Sequence, residues 1–226
     1  MEALLEAPQF EILCVFVERD RHPEVVARVA ELECPLQVLE GDKLREEAGY
    51  DFHRGVLAQV RRPAPQDPDE ALLRSWDRIV FPVGLADPGN LGTVVRNAAA
   101  FGASAVLIER GRGADIWNRK TIRASATAIF RIPIFEVSSV IGSIEMAKTA
   151  GFIPFGTSLS GQARSLEEAE IAKKSLLLFG SERDGLPLEY EEMCNELIRI
   201  PMSQGMDSLN VASTAAIICH HFFLKH

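Results

Sequence analysis

Five polar side chains sit in three glycine-rich blocks: Asn90 and Arg96 in residues 87–102, Glu182 in 178–187, Ser208 and Asn210 in 200–211. Each block follows an apolar run of strand type, and ligands of parallel sheets gather beyond such strand ends. Gly180, lacking a side chain, lets backbone come close to a ligand. Taken singly, Asn90 and Ser208 read as helix N-caps and Glu182 as a helix-start or surface acid. Arg96 falls about 200° round from Val94 at 100° per residue, so it points away from the apolar face of Val94, Ala98 and Phe101. On spacing alone it is a solvated arginine. As a chemical group it suits binding a phosphate or orienting an oxygen. It is an awkward base, because its pKa exceeds about 12.

Alternating elements must position these blocks. Residues 10–18 read as a strand, 22–33 as a helix with Val25, Val29 and Leu32 on one face, and 38–39 and 55–60 as further strands. This makes a small α/β unit over 1–62. Three prolines and mixed charge come next in 61–70, so 63–76 reads as a linker. From 77 to 226 the strands 79–83, 105–108, 132–135, 152–156, 176–179 and 197–200 are mostly separated by helical stretches. Continuous apolar strands between helices predict a mostly parallel sheet covered on both faces. The final helix carries Val211, Ala215, Ile218 and Phe222 at helical spacing, a stripe that by itself is plain core.

Composition excludes several classes. The chain has 226 residues, 47% hydrophobic and 25% charged, as in a soluble globular protein. No apolar run reaches membrane-spanning length, so no membrane partner is expected. The start at Met1 lacks the basic residues and cleavage site of a signal peptide, and a cytoplasmic protein is expected. Cys14, Cys34, Cys194 and Cys219 are scattered, as reduced buried thiols are, and have no metal-ligand spacing. His220 and His221 adjoin on one helix and diverge, so no metal is expected. A net charge of −8 speaks against a general nucleic-acid coat. It leaves room for a local patch. Arg110, Arg112, Arg119, Lys120, Arg123 and Arg131 cluster with no acid between Asp115 and Glu136, which fits an RNA-phosphate patch or an ordinary solvated face.

The order, spacing and polar residues of the three blocks together resemble the SpoU/TrmH branch of the SPOUT RNA methyltransferases. The resemblance is strong over about 79–223. It implies an α/β domain whose C-terminal part is tied in a trefoil knot, an exception to the usual connection rules. It implies transfer of a methyl group from S-adenosylmethionine to a ribose 2′-hydroxyl of RNA. Asn90, Arg96, Glu182, Ser208 and Asn210 then match the catalytic motifs. Thr157, Ser158, Phe179, Gly180, Ile200, Met202 and Leu209 match cofactor-binding positions. Whether Arg96 is base or orienting group stays open. Arg183 and Asp184 receive no role. Ala212, Ala215 and Ala216 on the last helix suit the family's homodimer contact. Residues 1–62, closing on Phe52-His53-Arg54-Gly55, resemble a small L30e-like RNA-binding domain, which favours ribosomal over transfer RNA as the substrate.

Two nucleotide-enzyme alternatives lack their motifs: no Gly-x-Gly-x-x-Gly follows the first strand of either domain, and no P-loop Gly-Lys-Ser/Thr is present. The alternative of another class is a SPOUT-like RNA binder without catalysis, against which the intact polar set argues.

Overall fold

A computed structural model of the chain describes residues 1–49, 53–161, 163–181, 183–203 and 208–224. The chain divides into two units, Met1–Ala64 and Pro65–His226. In the first, α1 (Glu2–Leu5), β1 (Ile12–Glu18), α2 (Pro23–Glu31), β2 (Leu36–Leu39), α3 (Gly41–Ala48) and β3 (Val56–Val60) occur in that order. The sheet runs β2-β1-β3, with β1 parallel to β2 and antiparallel to β3. Val15 and Val17 alternate onto one face and pack against Val25 and Val29 of α2 and Leu5 of α1. Helix α3 escapes the sequence reading because only Leu44 and Ala48, four residues apart, give it an apolar side.

The second unit continues with α4 (Glu70–Ser75), β4 (Arg78–Pro82), α5 (Pro88–Ala100), β5 (Ala105–Glu109), α6 (Arg119–Ala124), β6 (Ile134–Val137) and α7 (Val140–Thr149). Then come β7 (Ile153–Thr157), β8 (Arg164–Ser165), β9 (Ser175–Phe179), α8 (Leu188–Glu191), β10 (Glu196–Arg199) and α9 (Val211–Leu224). These strands form one sheet in the order β6-β5-β4-β9-β7-β10-β8, every described pairing parallel. Strand side chains alternate between two cores. Val80, Val106, Leu177 and Phe179 face the core closed by α5 and α9. Ile79, Phe81, Leu107, Leu176 and Leu178 face the core that holds Ile144 and Ala147 of α7. This double burial is why the strands read as unbroken apolar runs.

The stretch expected as a linker is partly structured. Its helix α4 inserts Leu73, and Trp76 enters the second core just after it, both nearly inaccessible. Asp67 accepts from the Ser138 amide (2.8 Å) and hydroxyl (3.0 Å). The prolines end the first unit, but apolar Leu73 and Trp76 anchor the rest of the stretch in the second. No helix among the described residues is long and apolar enough to cross a membrane.

Candidate active site

Beyond β4 the chain turns through Asp87-Pro88 into α5. Asp87 is the N-cap, its Oδ1 accepting from the Asn90 amide at 2.9 Å, and Pro88 takes the first helical position, where no N–H is needed. Asn90 is therefore not the cap that it reads as in isolation. Its side-chain oxygen instead accepts from Asn210 Nδ2 at 3.0 Å. Asn210 in turn caps α9, its Oδ1 accepting from the Ala212 amide at 2.8 Å. This role falls to Asn210 rather than Ser208, which is exposed. Two turns further along α5, Asn97 Nδ2 donates to the Ala212 carbonyl at 2.8 Å. Two asparagines of the first block thus clasp the start of the helix that comes after the third block.

A cleft of about 360 Å³ lies beyond the ends of β7, β9 and β10. Thr157 and Ser158 line it from the end of β7, Gly180 from β9, Ile200 and Met202 from β10, and Ser208 and Leu209 from the approach to α9. Phe179 does not reach it. Its side chain is wholly buried in the core, because strand alternation turns it inward, and its carbonyl accepts from the Val83 amide at 2.8 Å. Glu182, and Gly205 in the turn of the third block, lie outside the described residues.

The turn after Gly180 is built tightly. Ser181 and Gly185 exchange backbone hydrogen bonds of 3.1 and 3.0 Å, and Ser181 Oγ accepts from the Asp184 amide at 3.1 Å. Arg183 and Asp184, given no role from sequence, line the cleft on this turn, as does Glu191 from α8. The available signal was their place just past the end of a buried strand.

Arg96 is exposed on α5, as its angle from Val94 predicts, but it does not line the cleft. It opens on a separate groove with Arg131. The basic run of 110–131 is divided by tertiary partners. Arg110 donates to the Glu136 carbonyl at 3.2 Å, Arg112 meets Glu109 at 3.6 Å, and Lys120 meets Asp87 at 2.7 Å. It is therefore not one continuous phosphate patch.

Burial pushes the Cys194 thiol up to about 12 and the Cys219 thiol higher still, so both are protonated and unsuited to nucleophilic work.

Residues 77–220 match the model of the SpoU rRNA Methylase family. The chain belongs to that family. This SpoU protein is 29% identical to the 23S rRNA (guanosine-2′-O-)-methyltransferase RlmB of Acinetobacter baylyi, over 96% of this chain and 91% of that one. It is 30% identical to the RlmB of Pectobacterium atrosepticum, over 97% and 92% of the two chains. Its fold is that of the SpoU methyltransferase AviRb of Streptomyces viridochromogenes, solved with the cofactor AdoMet. The TM-score is 0.85 at 24% identity, covering 99% of this chain and 86% of that one.

Proposed function

We propose that this SpoU protein transfers the methyl group of S-adenosylmethionine to a ribose 2′-hydroxyl of RNA, with ribosomal RNA as substrate. The observation that carries the reading is the convergence of separate sequence blocks on one cleft and on the Asn90–Asn210 pair. The near full-length match to relatives named for ribosomal RNA supports the substrate class.

The cleft residues fit the cofactor. Its volume is within the range of small-molecule sites. Ile198, Ile200, Met202 and Leu209 give apolar surface for a flat adenine ring, and Leu209 is 38% exposed. Asp184 and Glu191 offer carboxylates to a cationic ligand, and Thr157 and Ser158 offer hydroxyls. Bound there, S-adenosylmethionine supplies a methyl group already electrophilic on its sulfonium sulfur. The protein's task is alignment and proton handling at the ribose oxygen. In this reading Ser208, which lines the cleft, and Asn210, which follows the lining residue Leu209, serve the alignment.

Arg96 opens on a different face, so a second copy of the chain presents it to the cleft. A homodimer through the C-terminal unit is part of this reading. Ala212 and Ala215 are not its contact, since both are buried inside the protomer. The outer side of α9 instead shows Ile217 (41% exposed) and Leu224 (56%) with Ser213 and His220, at the spacing of a helix–helix seam. The trefoil knot belongs here too: β10 pairs outside β7, and α9 returns onto α5. Residues 1–62 grip the RNA as an L30e-like domain, and the protein is cytoplasmic.

The test is transfer of labelled methyl from S-adenosylmethionine to unmodified ribosomal and transfer RNA, with mapping of the label. Label in an alkali-resistant dinucleotide from ribosomal RNA supports the reading, and label only in transfer RNA overturns the substrate. Cofactor binding with no transfer to either makes the chain a non-catalytic RNA binder. Arg96→Ala should bind the cofactor normally and lose about a hundredfold or more in kcat. An unchanged kcat would remove Arg96 from the chemistry. The pH dependence of the residual activity separates a lost base from a lost orienting group.

A further inference from the structure

The groove on which Arg96 opens is a site in its own right. It is a broad depression of about 630 Å³ between the second half of α5 and the loop 126–133, separate from the cofactor cleft. Its charged groups are Arg96 and Arg131, and no acid lines it. Neither arginine has an ion-pair partner among the described residues. The chain as a whole has an excess of acids, 32 against 24 Lys and Arg, yet none of them reaches this groove. Eight other arginines, Arg112 among them, do meet a carboxylate. Two guanidiniums on one groove, left without acid, repel each other until an anion joins them.

The loop beside them is strained. Ala126 (φ 48°) and Thr127 (φ 75°) are consecutive non-glycine residues in the left-handed region. Such a conformation is unfavourable for a residue with a Cβ and collects at functional sites. The Thr127 amide and hydroxyl have no hydrogen-bond partner among the described residues, and the residue is exposed. Donors thus face the groove from Arg96, Arg131 and Thr127. The rest of its surface is mostly alanine methyls, with no aromatic ring on which a base could stack and no enclosing wall for a small metabolite. Planar cations, an unbonded amide and a smooth small-residue floor suit a phosphodiester backbone rather than a base.

We propose that this groove holds the RNA backbone beside the nucleotide to be methylated, with Arg131 and Arg96 sharing one phosphate and Thr127 donating to it. The proposal rests on the RNA methyl-transfer reading and extends it: Arg131 is a positioning residue that holds the strand. Neutralising Arg131 therefore weakens RNA binding without touching the cofactor.

The experiment is steady-state methylation of an unmodified ribosomal RNA transcript by the full chain and by Arg131→Ala, Arg131→Gln and Arg131→Lys, with RNA binding measured across salt concentrations. Arg131→Ala and Arg131→Gln should raise KM for RNA about tenfold and leave kcat nearly unchanged. They should lower the slope of log K against log salt by about 0.7–0.9, the signature of one lost phosphate contact. Arg131→Lys, which keeps the charge, should recover most of both. Cofactor affinity and melting midpoint stay at parental values, and Arg131→Gln carries the test if Arg131→Ala folds poorly. A parent that methylates RNA while the variants keep parental KM and salt slope overturns the proposal and leaves the methyl-transfer reading intact. So does a loss of kcat at unchanged KM. A parent that binds neither RNA nor cofactor overturns the reading and the groove's assigned ligand together.

Discussion

Gly180 illustrates how much one absent methyl group can decide. A Cβ there would lie 2.1 Å from the Gly185 carbonyl carbon and 2.2 Å from the Leu186 nitrogen, so the backbone turn itself would have to move. Gly185 is different: a Cβ there meets nothing within 4 Å, and its requirement is its φ of +67°. One glycine is required by proximity and the other by conformation, and together they fold the turn back against the strand end. Gly180→Ala should destabilise the chain by about 1–3 kcal/mol and displace Ser181, Arg183 and Asp184 from the cleft. Melting should fall, and calorimetric affinity for S-adenosylmethionine should drop about tenfold or more. Parental affinity in a destabilised variant would show that the turn does not shape the cofactor site.

At the scale of elements, the start of α5 is a junction. Asp87 caps the helix and accepts Lys120 Nζ from α6 at 2.7 Å. The Lys120 ammonium, chiefly, and the Asn90 amide hold the Asp87 carboxyl below the ordinary aspartate value of 3.8. A folded pKa below the unfolded one means that the fold favours the charged form. The stability it contributes is complete above the ordinary value and is lost as pH falls through the lower folded value. Asp87→Asn keeps a capping oxygen and removes the charge. The difference in melting midpoint between parent and variant should therefore be constant at neutral pH and shrink on acidification below about pH 4. A pH-independent difference would mean that the ion pair contributes nothing. The exposed pair is also screened, so added salt should reduce the difference.

At the scale of the whole molecule, Arg96 does not line the cleft, so the proposed homodimer would couple activity to assembly while cofactor binding would not depend on it. Ile217→Glu places a charge on the exposed apolar side of α9, away from both cores. If the proposed homodimer forms through this face, Ile217→Glu should give a monomer by sedimentation, cut methyl transfer about a hundredfold or more, and leave cofactor affinity unchanged. A fully active monomeric parent would overturn the assembly.

Along the chain, the apolar runs were enough to locate all six strands expected in the second unit within about two residues, because a parallel sheet buried on both faces leaves an unbroken signal. Alternating strands and helices likewise specified an α/β domain, and the glycine blocks marked the strand ends where the cleft lies. Angular position alone put Arg96 on the exposed side of α5. Tertiary structure decided what each group meets. It made Asp87 the cap and left Asn90 for Asn210, a hydrogen bond between residues 120 positions apart. It turned Phe179 inward and put Arg183 and Asp184 on the cleft. It buried Ala212 and Ala215 within the protomer and left Ile217 and Leu224 outside. It drew Arg110, Arg112 and Lys120 to partners while leaving Arg131 on the same groove as Arg96. The reason is the same in each case. Periodicity records whether a side chain faces inward or outward, whereas its partner depends on which distant segment the topology brings to that face.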